Sequence, residues 1–482
     1  MANSVNRYNY RFLARLVIQA ETPLSVGSGE YDILSGKVVA KDANGLPYIP
    51  GTAIAGIVRH AIGEENAKPF FGFNESTTER KQRVERNKVS GMSGSDNILN
   101  IDEGSKIIFS SAQIVDEEGL VVEGLDLNRV KKSKFLSCFN SLPKRQHVRI
   151  NGSGTSEKNG KFEEEVIYKG TRFCFEIEML SSDFKNTNLF EKVLLEIATK
   201  TNRLGGGTRR GLGEIRVVEC KKMNLDLFVP NDLKVYIEKT SSLNDHFWNE
   251  CPVFNLQQQS DGLNWTTYTL RLNAEDFFLF GSGLGNEYAD ITPVCETYFD
   301  WPKDNKPSII EKAILIPGSS VKGAISHRVA FHYNKIKGVF SDELSTEEMK
   351  IHVGSNNPAV QAVFGYVVDD KHIERGNIQI SDVIQTVVDE QNKLMNHVSI
   401  DRFTGGAIAG ALYSEEVTYA KNCKYTLTLN VFANALKDDA VREAFDATLD
   451  DIVNGLLPLG GGTNRGYGFF NGSILINGEN KL

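Results

Sequence analysis

The chain has 482 residues, too many for one ordinary hydrophobic core, so two or three domains is the starting expectation. Its composition, 40% hydrophobic and 24% charged, is that of a globular protein and excludes a disordered or fibrous one. The net charge of −8 argues against a protein that simply coats nucleic acid but leaves room for a basic groove on an acidic body, because local field outweighs total charge.

The opening MANSVNRYNYRF lacks the apolar core of a signal peptide, and no run of about eighteen apolar residues follows it, so no membrane span or membrane partner is expected. RFLARLVIQA (11–20) alternates as a half-buried strand does. After GSGEYDILSGKVV (27–39) comes YIPGTAIAGIVRHA (48–61), where the IPG turn opens a helix that Thr52 is placed to cap. The polar insertion 74–98, with the mixed-sign ERKQRVERNK (79–88), reads as mobile. RVKKSK (129–134) and PKRQHVR (143–149) form the densest basic stretch of this half, leading into NGSGTSEKNGKF (151–162). FCFEIEML (173–180) is a strand, and LFEKVLLEIATKTNRL (189–204) sets Phe190, Val193, Leu194 and Ile197 on one helical face. That helix runs into RLGGGTRRGLGEIRV (203–217), whose five glycines each cost backbone freedom and need a reason.

The same elements then return in order. TLRLNAEDFFLFGSG (269–283) echoes 14–29, and LIPGSSVKGAISHRVA (315–330), with Ser319 at the cap, echoes 48–61. VFGY (363–366) echoes FFGF (70–73), and GNIQISDVIQ (376–385) echoes SKIIFSSAQI (105–114). HVSI…YSEEVTY (397–419) echoes HVRI…FEEEVIY (147–168). YTLTLNVFA (425–433) and VREAFDATLDDIVNGL (441–456) are a strand and a helix with Phe445, Leu449, Ile452 and Val453 on one face, and LGGGTNRGYGFF (459–470) closes the set. An ordered series at offsets of roughly 250 to 290 residues means a duplicated domain. We read a first domain at 8–225, a linker at 226–262 without sustained periodicity, and a second domain at 263–478. Strand, helix, several strands, helix, strand is an α+β plan with an antiparallel sheet, of the ferredoxin-like, RNA-recognition type. Six scattered cysteines with no CxxC pair suggest neither zinc nor disulfides, and a reducing cytoplasm is the expected location. No P-loop, dinucleotide fingerprint or Ser-His-Asp set is present.

Glycine-rich backbone can aim successive N–H groups at a phosphate, and arginines beside it add charge-assisted contacts. A tight helix-to-strand turn needing positive φ explains a lone GGG equally well. Two copies with Thr and Arg at matching places favour an RNA-backbone site at Gly205, Gly206, Gly207, Arg209 and Arg210, and at Gly460, Gly461, Gly462 and Arg465. LPYIPGTAIAGIVR, LIPGSSVKGAISHR, ADITPV, IDRFTGGAIAGALYSEEV and the two glycine loops together resemble the RAMP superfamily of CRISPR-associated proteins, and more closely the repeated backbone subunit of type III CRISPR effector complexes. The resemblance spans nearly all of both domains. It implies two tandem RAMP domains packed along a CRISPR RNA guide, with complementary target RNA and other type III effector subunits as partners. It places Ser319, Ser320, Lys322, Arg59, Arg328 and Arg402 with the glycine loops at the guide. It also implies a thumb hairpin in each copy, at 151–162 and 403–413, that wedges into the guide–target duplex.

The family cuts target RNA beside an acidic residue between the first strand and the IPG helix, using a divalent metal (Mg²⁺ or Mn²⁺) and the RNA's own 2′-hydroxyl. Asp290 in GNEYADITPV and Asp32 in GSGEYDILSGKVV, each following Glu-Tyr, are the expected catalytic and metal-holding residues. The copies differ, since Asp290 has an extra alanine before it and copy one has no match for Pro293. Glu30 and Glu287 are weaker alternatives. His60 and His327, each ten residues past its IPG proline, are expected to pack or touch phosphate rather than act as bases. Two other functions stay open: an architectural guide-binding subunit with inert loops, and a stand-alone nuclease that processes CRISPR transcripts with a histidine.

Overall fold

A computed structural model of the chain describes residues 8–32, 36–74, 103–151, 154–256, 264–302, 306–369, 372–386, 392–419 and 423–481. The insertion at 74–98 falls almost wholly outside them.

Each copy is built on an antiparallel sheet with one strand order. In the first, Tyr10–Ala20 lies between Arg172–Ser181 and Ile215–Asp226, and Ile107–Phe109 adds to the outside of Arg172–Ser181. In the second, Trp265–Ala274 lies between Lys424–Phe432 and Phe470–Ile476, with Ile378–Ile380 on the far side of Lys424–Phe432. This is the order a βαββαβ chain produces when each helix packs back on one face. The fold is therefore the expected α+β tandem. Phe12, Leu16 and Ile18 bury against Ile54 and Val58 of helix Gly51–Ile62 and Phe190 and Leu194 of helix Thr187–Ala198. Leu270 and Leu272 do the same against Val321 and Ile325 of Gly318–Ile336 and Phe445 and Leu449 of Asp439–Val453.

Three local expectations change. Thr52 and Ser319 do not cap their helices. Pro50 and Pro317 occupy the cap positions with no side-chain cap bond, and at the second helix the Gly318 N–H donates to Asp382 Oδ1 at 2.7 Å. The late helices stop at Ala198 and Val453, several residues short of the glycine loops. The second thumb is a hairpin of Asn392–Ile400 and Ala407–Tyr419, so 407–413 is strand and the turn lies at 401–406. The first thumb pairs Lys144–Ile150 with Ser156–Glu165.

The segment after Asp226 is folded as well. Helix Pro230–Glu238 and the turn Phe247–Glu250 cross the outer face of the first sheet, where Trp248 and Cys251 pack on Leu13 and Leu225. Leu243 joins Val115, Val121 and Cys174 on the same side. The corresponding strand of the second sheet turns Thr267, Thr269, Arg271 and Asn273 away from its core, a polar face that needs no such cover. The two copies are joined directly too. Phe299 enters the first core, 4.6 Å from Phe135, and Trp301 donates to the Gly170 carbonyl at 2.7 Å with Arg172 over its ring. Among the described residues no helix is long and apolar enough to cross a membrane.

Candidate functional site

The two glycine loops have the same backbone. Gly206 donates to Ser25 O and Gly461 to Leu279 O, both at 2.7 Å, which pins each loop to the residues after the first strand. Leu204 donates to Gly213 O and Leu459 to Gly468 O, both at 2.8 Å, closing the loop. Gly205, Gly207, Gly211 and Gly213 all have positive φ, as do Gly460, Gly462, Gly466 and Gly468. A Cβ on Gly205 or Gly460 would stand 2.5 Å from a backbone oxygen of that anchor. Most of these glycines thus answer to the turn itself.

The first loop is a junction between the copies. Across it, Gly211 meets the start of helix Gly318–Ile336, so closely that a Cβ there would overlap Asp382. This brings Arg209 and Arg210 to Lys322, and Gly211 to Gly318 just before Ser319 and Ser320, a pairing of the two copies that sequence alone does not show, while Gly205 and Gly206 face Ser25 of their own copy. Arg209 donates from Nε to Gly376 O at 2.7 Å and lies over Trp265. Arg375 donates to Thr208 Oγ1 at 3.1 Å. Burial first, then the charges of Arg209 and Arg210, pull the Lys322 ammonium down to about 8. Burial, then Arg375 and Arg203, pull Arg209 down to about 9. A cluster of cations this close is costly unless an anion joins it.

Beside this cluster the copies are locked by Arg145. Its guanidinium holds both oxygens of Glu296, at 2.5 and 2.8 Å, and also Asp382, and all three side chains are buried. Arg203 reaches Ser381 Oγ at 2.7 Å.

A second constellation occurs twice. His147 Nε2 stands 2.9 Å from Glu164, and Arg210 Nη2 donates to both oxygens of the same carboxylate, at 2.9 and 3.0 Å. His397 stands 3.1 Å from Glu415, and Arg465 donates to it at 2.6 Å. Each His stacks on its cross-strand neighbour, Phe162 or Tyr413. Glu164 and Glu415 are buried, so each ties a glycine loop to the base of its thumb. Burial alone would push the Glu164 carboxyl up, but His147 and Arg210 outweigh it and hold it below the ordinary range. The signal for this set was present in the repeated HV-x-I and E-E-V blocks. The Arg145–Glu296–Asp382 lock has no counterpart in the repeat and gave none.

Asp290 is exposed on its loop. Its N–H donates to Ser414 O at 2.9 Å, and its Oδ2 accepts from the Ser414 N–H at 2.8 Å and hydroxyl at 3.2 Å, which fixes the carboxylate against the thumb strand. Asp32 ends strand Gly27–Asp32, and its side chain lies outside the described residues. Pairing Asp32 with Asp290 by their Glu-Tyr neighbours does not survive. Lys37 bridges Glu164 in parallel as Ile291 bridges Glu415, and Ala40 donates to Val26 O as Val294 does to Phe280 O. The residue in Asp290's place is therefore Gly36. Glu30 and Glu287 are exposed.

The remaining predicted contacts scatter. Arg59 pairs with Glu64 at the end of its own helix. Arg328 and His332 both hold Asp451, joining two helices of the second copy. Arg402 is exposed at the second thumb's turn, and His60 and His327 are exposed on their helices. Among the described residues no group of three or more His, Cys, Asp or Glu side chains gathers as a metal site.

No curated protein matches this chain. A family model described as the RAMP superfamily matches residues 17–216 and 312–471, one stretch in each copy and together well over half of the chain. The duplicated sheet order, the duplicated glycine loops and these two matches agree: the chain belongs to the RAMP superfamily, and carries it in tandem.

Proposed function

We propose that this chain is a fused double backbone subunit of a type III CRISPR effector complex, holding the guide RNA and cutting the target RNA paired with it. Membership of the RAMP superfamily supports a CRISPR-associated, RNA-binding role. The observation that carries the reading is the cation cluster of Arg209, Arg375 and Lys322 at the junction of a glycine loop and a helix start. Its charges lie where a phosphate would relieve them, and RNA held by its phosphates keeps its bases free to pair. Phe403, 99% exposed at the thumb turn, with Val398 and Leu412 exposed below it, presents an apolar tip suited to unstacking a base step.

For cleavage, the RNA's 2′-oxygen forms a bond to the adjacent phosphorus while the bond to the 5′-oxygen breaks. The hydroxyl proton leaves one oxygen and another is gained by the other, giving a cyclic phosphate and a 5′-hydroxyl. Asp290, with one oxygen anchored on Ser414, would hold the cation or accept that proton. A divalent cation, when bound, would supply charge to the phosphate oxygens. With no three-residue metal cluster among the described residues, such a cation would keep water and RNA oxygens as its other ligands, the mode Mg²⁺ favours.

The test is to purify the full chain, sequence the RNA that travels with it, and titrate that RNA against salt. Arg209→Ala and Lys322→Ala are each expected to weaken binding and to lower the salt slope by roughly one unit. Unchanged affinity and slope in both would remove the guide-binding site from this junction.

A further inference from the structure

The tandem looks symmetrical in sequence, with a Glu-Tyr followed by aspartate in each copy, and two cleavage centres is the natural expectation. Strand register breaks that symmetry. The parallel bridges Lys37–Glu164 and Ile291–Glu415, and the matched bonds Ala40–Val26 and Val294–Phe280, put Gly36 where the second copy has Asp290. Ser414, which anchors Asp290, has Glu163 as its counterpart one residue before Glu164.

Gly36 is not an accidental loss that a side chain could refill. Its φ is +64°, and a Cβ on it would stand 2.1 Å from the Glu163 carbonyl oxygen, so the backbone occupies the space that Asp290's side chain leaves from. Asp32 is Gly36's partner on the neighbouring strand, so it starts one strand away from the place where Asp290 is anchored. A second difference points the same way. Tyr413 offers a hydroxyl that accepts from Arg465 Nη1 at 3.1 Å, and the first copy has Phe162 there.

We propose that the tandem has one cleavage centre, built on Asp290 in the second copy, and that the first copy holds RNA without cutting it. This rests on the cleavage reading above but makes a separate claim about number and place.

The experiment uses the full chain carrying its co-purified RNA, a labelled synthetic complement, and Mn²⁺. Cuts are mapped at nucleotide resolution, and bound Mn²⁺ is counted by electron paramagnetic resonance in the same samples. One cut per chain is expected. Asp290→Asn should slow it by roughly 100-fold or more and remove the Mn²⁺ signal, with the complement still bound. Asp32→Asn should retain both the cut and the signal. Two cuts per chain, or a cut or Mn²⁺ signal lost in Asp32→Asn, overturns the single centre while leaving cleavage intact. A wild type that binds the complement, holds no Mn²⁺ and cuts nothing overturns both readings.

Discussion

Within each GGG run the middle glycine obeys a different constraint from its neighbours. Gly205 and Gly207 have positive φ, as do Gly460 and Gly462, and the turn requires them. Gly206 and Gly461 are not in that region, and a Cβ on them would meet nothing closer than 3.4 and 3.6 Å. Both are exposed. What a side chain there would obstruct is an approaching ligand. Gly206→Ala should therefore unfold at the wild-type temperature yet bind guide RNA more weakly. Gly205→Ala should lose roughly 1–2 kcal/mol from its left-handed φ alone, before any clash with Ser25. Thermal unfolding and RNA titration of the two variants separate the roles. If Gly206→Ala binds as the wild type does, the run serves only the turn.

At the scale of elements, the site is a meeting of a loop from one copy with a helix from the other. Lys322 belongs to a helix whose sequence gives no warning that Arg209 and Arg210 will face it. Its depressed pKa sets a sign. Free of RNA, the ammonium loses its proton as pH rises through about 8, and a bound phosphate would favour the charged form and raise that value. Guide affinity should thus be full below pH 8 and fall between pH 8 and 10, with proton uptake on binding in that window. Lys322→Met should remove the part of the fall that begins near pH 8 and leave the later part that belongs to Arg209, itself held down to about 9. A profile that falls equally in the variant would place the titrating group elsewhere. The strands, both helical faces and the hairpins were legible because period-2 and period-3.6 patterns survive in single elements. The cap by Asp382 was not, because it comes from a strand end some sixty positions downstream and only the fold brings it to Gly318.

For the whole molecule, the residues that break the repeat turn out to mark where the copies join. Arg145, Arg203 and Arg209 have Met395, Pro458 and Asn464 at the matching steps of the second copy. Duplication was plain because every block recurred in order. The junction was hidden because its members are the positions that do not recur. Register was misread for a related reason: Glu-Tyr and Asp recur as letters, while hydrogen bonding puts Gly36 in the place of Asp290. Arg145 gives the junction its test. It satisfies Glu296 on two oxygens and Asp382 on one, with all three side chains out of water. Removing it strands two buried carboxylates, a loss of about 3–5 kcal/mol for a pair of this kind. Arg145→Met should lower the unfolding temperature and separate one cooperative calorimetric transition into two, as each copy melts on its own core. Adding Glu296→Gln and Asp382→Asn to that variant should return part of the loss, because the uncompensated charge goes with them. If Arg145→Met melts as the wild type does, the copies are held by Phe299 and Trp301 against the first core, and the ion cluster serves only to orient the glycine loop.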